Sequence, residues 1–282
     1  MLKCHGLQLL DNNLKITYAS STNPIQGSRK FNYDFTAQSN GYILISYSNT
    51  YKTEAFIYNV INNNNNNIDF SSLKIGFTGD SICAGDGYNG GYAKCLNELY
   101  GLKYQNIAVS GGRIVPSNYF TISNSIPNFD NDIEAICIEG GINDTSENGN
   151  PLGELTQTYT DAINQSTFYG ALEKMFRDCF NLFPNIPIFY VISHNSNSAY
   201  YRTFGDNLKF EDYITAIKKT CEKYGVYVID LFHDSHFCTG ISNSLKERYT
   251  ANGDGLHPNR EGYIKFYVPF LKDYIKNILL SD

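Results

Sequence analysis

The sequence predicts an α/β protein, a parallel sheet covered by helices on both faces and preceded by a small β-rich segment. Three observations carry this. Beyond residue 68, five short apolar runs alternate with stretches whose apolar residues recur at helical three-and-four spacing. Strands that alternate with helices form parallel sheets, and strands buried on both faces read as near-continuous apolar runs. Residues 1–61, by contrast, hold only short runs between clusters of Asn, Ser, Thr and Gly, which reads as strands and turns.

In the first segment the runs at 14–19, 31–37, 41–48 and 54–61 are the expected strands. Residues 62–67 are an unbroken asparagine run, a low-complexity stretch that cannot bury a face. It places a boundary near Asp69, giving a β-rich module over 1–68 and a larger domain over 69–282. A long hairpin turn within one domain is the competing reading. A module this small either packs on the following domain, pairs with a second copy in a homo-oligomer, or is half of a larger β-module.

The larger domain opens with Lys74-Ile75-Gly76-Phe77-Thr78-Gly79-Asp80-Ser81-Ile82, an apolar run that delivers a serine to the carboxyl end of a strand. Open α/β sheets keep their ligands at that edge. A helix is expected over 90–100, with Tyr92, Cys95, Leu96 and Leu99 on one face and Gly101 at its end. Residues 104–109 are the second strand and 133–139 the third. Residues 145–166 are a polar insertion that, with 113–132, is expected to hold substrate selectivity. A helix over 168–183 carries the broad stripe Phe168, Leu172, Met175, Phe176, Cys179, Phe180 and Phe183. The fourth strand, 186–193, ends at His194, which is either a substrate contact or a loop histidine without a role. A helix over 208–224 and a fifth strand over 226–231 follow. The last helix, 260–280, contains Pro269, which is expected to kink or split it.

A serine hydroxyl becomes a nucleophile when a base takes its proton and a third group orients that base. Ser81 is the candidate nucleophile. Asp254-Gly255-Leu256-His257-Pro258 supplies His257 as candidate general base, with Asp254 three residues earlier to hold its tautomer. Asp230, at the end of the fifth strand, competes for the orienting role. Cys83 is the alternative nucleophile beside Ser81, and His233-x-x-His236 a metal pair that nothing nearby completes.

Gly79-Asp80-Ser81 and Asp254-x-x-His257, with Asn106-Ile107-Ala108-Val109-Ser110-Gly111-Gly112 and Gly140-Gly141-Ile142-Asn143-Asp144 between them, resemble the four blocks of the SGNH hydrolases, or GDSL esterases. The resemblance covers about residues 73–280. It implies a flavodoxin-like three-layer α/β/α sandwich with a five-stranded parallel sheet of order 2-1-3-4-5. It also implies an oxyanion hole built from the Ser81 N–H, the Gly111 N–H and the Asn143 amide, with Gly112 a rival register for Gly111. Asp80 and Asp144 are left to brace their loops. The implied activity is ester hydrolysis through an acyl-enzyme without metal or organic cofactor. A short acyl group on a carbohydrate is the favoured substrate. A lipid esterase or thioesterase, and a non-catalytic glycan-binding attachment module, are the alternatives.

The bulk properties agree. A formal net charge of −6, with no run of Lys or Arg, argues against nucleic acid as partner. No apolar run approaches the ~20 residues of a spanning helix, and the first residues lack a secretory apolar core. That pattern suits a cytoplasmic enzyme, a phage-particle component or part of a longer exported chain. Twenty-three tyrosines and no tryptophan suggest that tyrosine serves both core and pocket walls. Seven cysteines without Cys-x-x-Cys spacing read as small buried hydrophobes.

Overall fold

The computed structural model describes residues 69–145, 150–196 and 209–280 in full, and the backbone of four strands before them. The chain divides into two compact units, Met1–Ile68 and Asp69–Asp282.

In the first unit, β1 (Lys3–Leu10), β2 (Ile16–Ala19), β3 (Gly41–Ser48) and β4 (Thr53–Val60) form an antiparallel sheet of order β2-β1-β3-β4. A register shift between Cys4 and Leu7 interrupts the β1–β3 ladder, whereas β3 and β4 pair without a break from Gly41↔Val60 to Ser48↔Thr53. The expected strand over 31–37 and the asparagine run lie outside the described residues, and β1 was not anticipated.

The second unit is built on β5 (Lys74–Thr78), β6 (Lys103–Asn106), β7 (Ala135–Glu139), β8 (Ile188–Ile192) and β9 (Tyr227–Asp230). Every pairing is parallel and the order is β6-β5-β7-β8-β9, the flavodoxin-like 2-1-3-4-5. The helices are α1 (Ser81–Ala84), α2 (Gly91–Tyr100), α3 (Phe168–Leu182), α4 (Phe210–Tyr224), α5 (Leu231–Asp234), α6 (Asn243–Tyr249), α7 (Arg260–Phe266) and α8 (Val268–Leu279). The expected final helix is two, because Pro269 lacks an N–H and sits in the first turn of α8, where none is needed.

Alternation along the strands sorts the core into two layers. Ile75, Phe77, Cys137, Phe189 and Ile229 face Leu271 and Ile275 of α8. On that side Tyr92 stacks on Tyr267 at 5.5 Å and meets Phe77 edge-on at 5.8 Å. On the other, Tyr190 meets Phe176 of α3 at 6.1 Å, and Phe168 meets Tyr213 of α4 at 4.9 Å. These rings are fully buried, so each contributes about 1.5–3 kcal/mol of apolar burial. Among the described residues, no helix is long and apolar enough to cross a membrane.

Candidate active site

The site forms where β5 ends. Asp80 caps α1 by accepting a hydrogen bond from the Ile82 N–H at 2.9 Å, which fixes Ser81 as the first helical residue, largely buried. Gly79 is required just before it: a Cβ there would lie 2.4 Å from the Glu139 carbonyl oxygen on the neighbouring strand end. The same glycine's carbonyl accepts from the Val109 N–H at 3.1 Å, tying the Ser81 turn to the turn after β6.

His257 arrives on the loop before α7. That loop is closed on itself: Ala251 donates to the His257 carbonyl at 2.8 Å, Gly255 to Thr250 Oγ1 at 3.0 Å, and Thr239 Oγ1 to the Gly255 carbonyl at 2.5 Å. Inside it the Asp254 carboxylate accepts from the Leu256 and His257 N–H groups at 2.8 and 3.0 Å, and its other oxygen lies 2.7 Å from His257 Nδ1. Partial burial opposes ionisation of Asp254, but the two backbone donors and the imidazole outweigh it and hold the carboxyl below its ordinary value. His257 Nε2 then lies 2.9 Å from Ser81 Oγ. The acid, imidazole and hydroxyl therefore form one continuous chain.

Asn143 and Asp144 open the short 3₁₀ turn after β7 and reach the 109–115 loop. Asn143 Nδ2 donates to the Gly112 carbonyl at 3.0 Å, and Asp144 accepts from the Ile114 and Val115 N–H groups, both at 2.9 Å. Gly111 has φ of +76°, which an L side chain rarely adopts, and Gly112 commits its own N–H to the Val109 carbonyl at 2.9 Å.

The competing residues lie elsewhere in function. Asp230 is bound to His233 Nδ1 at 2.7 Å and paired with Lys218, so it does not serve His257. His194 is fully buried, with Nδ1 2.7 Å from the Tyr267 hydroxyl and its ring stacked on Phe237 at 4.3 Å. Burial lowers its pKa to about 3, so it is a neutral core histidine and not a substrate contact. Cys83 is fully buried, and desolvation pushes its thiol well above the ordinary value, which removes it as a nucleophile.

Of the two expected selectivity segments, residues 113–121 form a loop closed by Arg113 N–H to the Phe120 carbonyl and Ile122 N–H to the Arg113 carbonyl, at 3.1 and 2.9 Å. The described part of the polar insertion is strapped to α3 and α4. Thr156 donates its N–H and hydroxyl to Glu173, whose carboxylate also meets Lys223 at 2.7 Å. Glu139, a fully buried carboxyl at the end of β7, was not singled out from the sequence. A lone acid closing the apolar run Ala-Ile-Cys-Ile-Glu was the available signal.

A model of the GDSL-like lipase/acylhydrolase family matches residues 77–264. Among solved structures, a protein of Lactobacillus plantarum is 24% identical with a TM-score of 0.63, covering 75% of this chain and 99% of its own. A possible lipase of Chitinophaga pinensis is 19% identical with a TM-score of 0.55, covering 74% of this chain and 100% of its own. At these identities the two likenesses speak for the fold. A search of curated protein sequences finds no match.

Proposed function

The chain is a carboxylic ester hydrolase that belongs to the GDSL-like lipase/acylhydrolase family, and from that premise we propose that it removes O-acetyl or other short acyl groups from a carbohydrate through an acyl-enzyme on Ser81. The observation that carries the assignment of roles is the Asp254–His257–Ser81 hydrogen-bond chain. Asp254 accepts from Nδ1–H, which leaves Nε2 facing Ser81 as the base. Ser81 Oγ attacks the ester carbonyl carbon as its proton passes to Nε2, and the carbonyl electron pair moves onto oxygen. The oxyanion is received by the Ser81 N–H, the Gly111 N–H and the Asn143 amide; the commitment of the Gly112 N–H to Val109 favours Gly111 over its neighbour. Collapse expels the sugar oxygen, which takes the proton from His257. Water then attacks the acyl-enzyme, giving its proton to the same nitrogen, and the carboxylic acid leaves as Ser81 is restored.

Two features support the substrate. The residue before Gly111, Ser110, donates its hydroxyl to Asp86 at 2.7 Å, so the rim beside the proposed oxyanion donor offers polar partners to a hydroxylated alcohol. The chain is also rich in tyrosine, which combines an apolar face with a hydrogen-bonding tip. The test is hydrolysis of p-nitrophenyl esters from acetate to octanoate, and of glucose pentaacetate, by wild type and Ser81→Ala. Acetate turned over best, sugar acetate consumed and the variant at background support the reading. A rate that climbs with acyl length would move the protein to the lipid esterases or thioesterases. Sugar binding without turnover of any ester would make it an attachment module.

A further inference from the structure

We propose that Tyr119 is the platform against which the sugar ring of the substrate stacks, making it a residue that sets the preference for carbohydrate esters; this rests on the carbohydrate reading above. Tyr119 is the most exposed aromatic among the described residues, at 75%. The next two are accounted for within the fold. Tyr159 donates its hydroxyl to the Lys223 carbonyl at 2.6 Å and packs on Tyr224, and Tyr227 packs on Phe189. Among the described residues Tyr119 has neither a hydrogen bond nor a ring contact.

Exposure alone means little, since scattered apolar side chains are normal on a surface. Position and order give it weight. A Cβ built on Gly111 would lie 3.3 Å from Tyr119 Cε1 and 3.5 Å from Cδ1. A side chain at position 111 would therefore meet the ring edge, which places Tyr119 beside the glycine assigned to the oxyanion. The ring is also carried on an ordered loop. Besides the backbone pairs of Arg113, Ser117 donates its N–H to Thr121 Oγ1 and its hydroxyl to the Phe120 carbonyl, both at 3.1 Å. A side chain presented on a tied loop loses little further freedom when it is covered.

The geometry of an ester selects which part of the substrate meets this ring. The carbonyl oxygen points at the Gly111 N–H, and the sugar is joined to the carbonyl carbon through one oxygen. The sugar thus begins within a few bond lengths of Gly111, the glycine beside which the Tyr119 ring stands. One face of a pyranose is a patch of C–H groups that suits the π face of tyrosine. Its hydroxyls project from the edge, where Ser110 and Asp86 are paired.

The experiment measures kcat/KM on glucose pentaacetate and on vinyl acetate, an acetyl ester whose alcohol part has no ring, for wild type, Tyr119→Ala and Tyr119→Phe. The readout is the ratio of the two values. Stacking predicts that Tyr119→Ala lowers the ratio by about three- to tenfold, mainly through KM for the sugar, and that Tyr119→Phe restores it. An unchanged ratio in Tyr119→Ala overturns the proposal while wild-type turnover of the sugar acetate leaves the carbohydrate reading standing. Equal losses on both substrates also overturn it, placing Tyr119 in support of the Gly111 turn. Wild type that consumes vinyl acetate but not the sugar acetate removes the carbohydrate reading and this proposal together.

Discussion

His257 Nε2 lies 2.9 Å from Ser81 Oγ, although the two residues are 176 positions apart. One is fixed by the Asp80 cap at the end of β5 and the other by the self-bonded loop before α7, so the contact is preorganised by elements at both ends of the unit. On the proposed mechanism the two groups act as one, so Ser81→Ala and His257→Ala should each lower kcat on p-nitrophenyl acetate by about 10⁴–10⁶-fold. The double variant should be no worse than either alone. Far-ultraviolet circular dichroism would show that the fold survives; multiplicative losses in the double variant would mean that the two residues act independently.

Asp254 is predicted to work through the tautomer of His257. In Asp254→Asn an amide N–H would face Nδ1, favouring the proton on Nε2 and turning the base away from Ser81, so kcat should fall about 10²–10⁴-fold with KM little changed. A second consequence concerns stability. The carboxyl is held below its ordinary value of 3.8 in the folded chain, so its contribution is full above that value and is lost as pH falls through the lowered one. The difference in Tm between wild type and Asp254→Asn should therefore shrink as pH falls below about pH 4. A gap that persists undiminished at pH 3 would show that the carboxylate is not what stabilises this loop.

Asn143→Ala should act on the transition state and not on binding. Loss of one oxyanion donor typically costs about 10²–10³-fold in kcat, with KM nearly unmoved. The same variant also breaks the 3.0 Å bond to the Gly112 carbonyl, so urea unfolding should be measured in parallel. A rise in KM at constant kcat would assign Asn143 to substrate binding instead.

Much of this site is legible in the sequence because three of its parts lie just after strands. Ser81, Asn143 and the Gly111 turn follow β5, β7 and β6, and parallel strands deliver their ends to one edge. Which aspartate serves His257 was not legible. Asp230 and Asp254 are both aspartates three residues before a histidine, and only the fold shows Asp230 closing on its own His233 and Lys218. His194 follows the same strand-end rule as the other site residues, yet the Tyr267 hydroxyl and the Phe237 ring cover it, a tertiary fact with no local signature. β1 escaped notice because Lys-Cys-His-Gly-Leu-Gln-Leu-Leu holds no β-branched residue and its ladder to β3 is broken. Tyr119 lay inside a segment marked for selectivity, but nothing local tells an exposed tyrosine from a buried one.

The same blindness to burial hid Glu139. It is fully buried at the end of β7, and neither carboxyl oxygen meets a hydrogen-bond partner among the described residues. Burial first, and then the nearby Asp80, push its carboxyl well above the ordinary value of 4.5. The folded chain thus keeps a proton that the unfolded chain releases, and from about pH 4.5 upward it binds more protons than the unfolded one. Stability through this group falls as pH rises, by about 1.4 kcal/mol per pH unit until the folded carboxyl ionises. Glu139→Gln keeps the shape and removes the titration. Its stability relative to wild type should therefore improve as pH rises above about pH 5, as read from urea midpoints at each pH. If the difference between the two proteins stays flat over that rise, Glu139 ionises in the fold as it does in the open chain, and a partner for its charge must lie beside Asp80 and Tyr92.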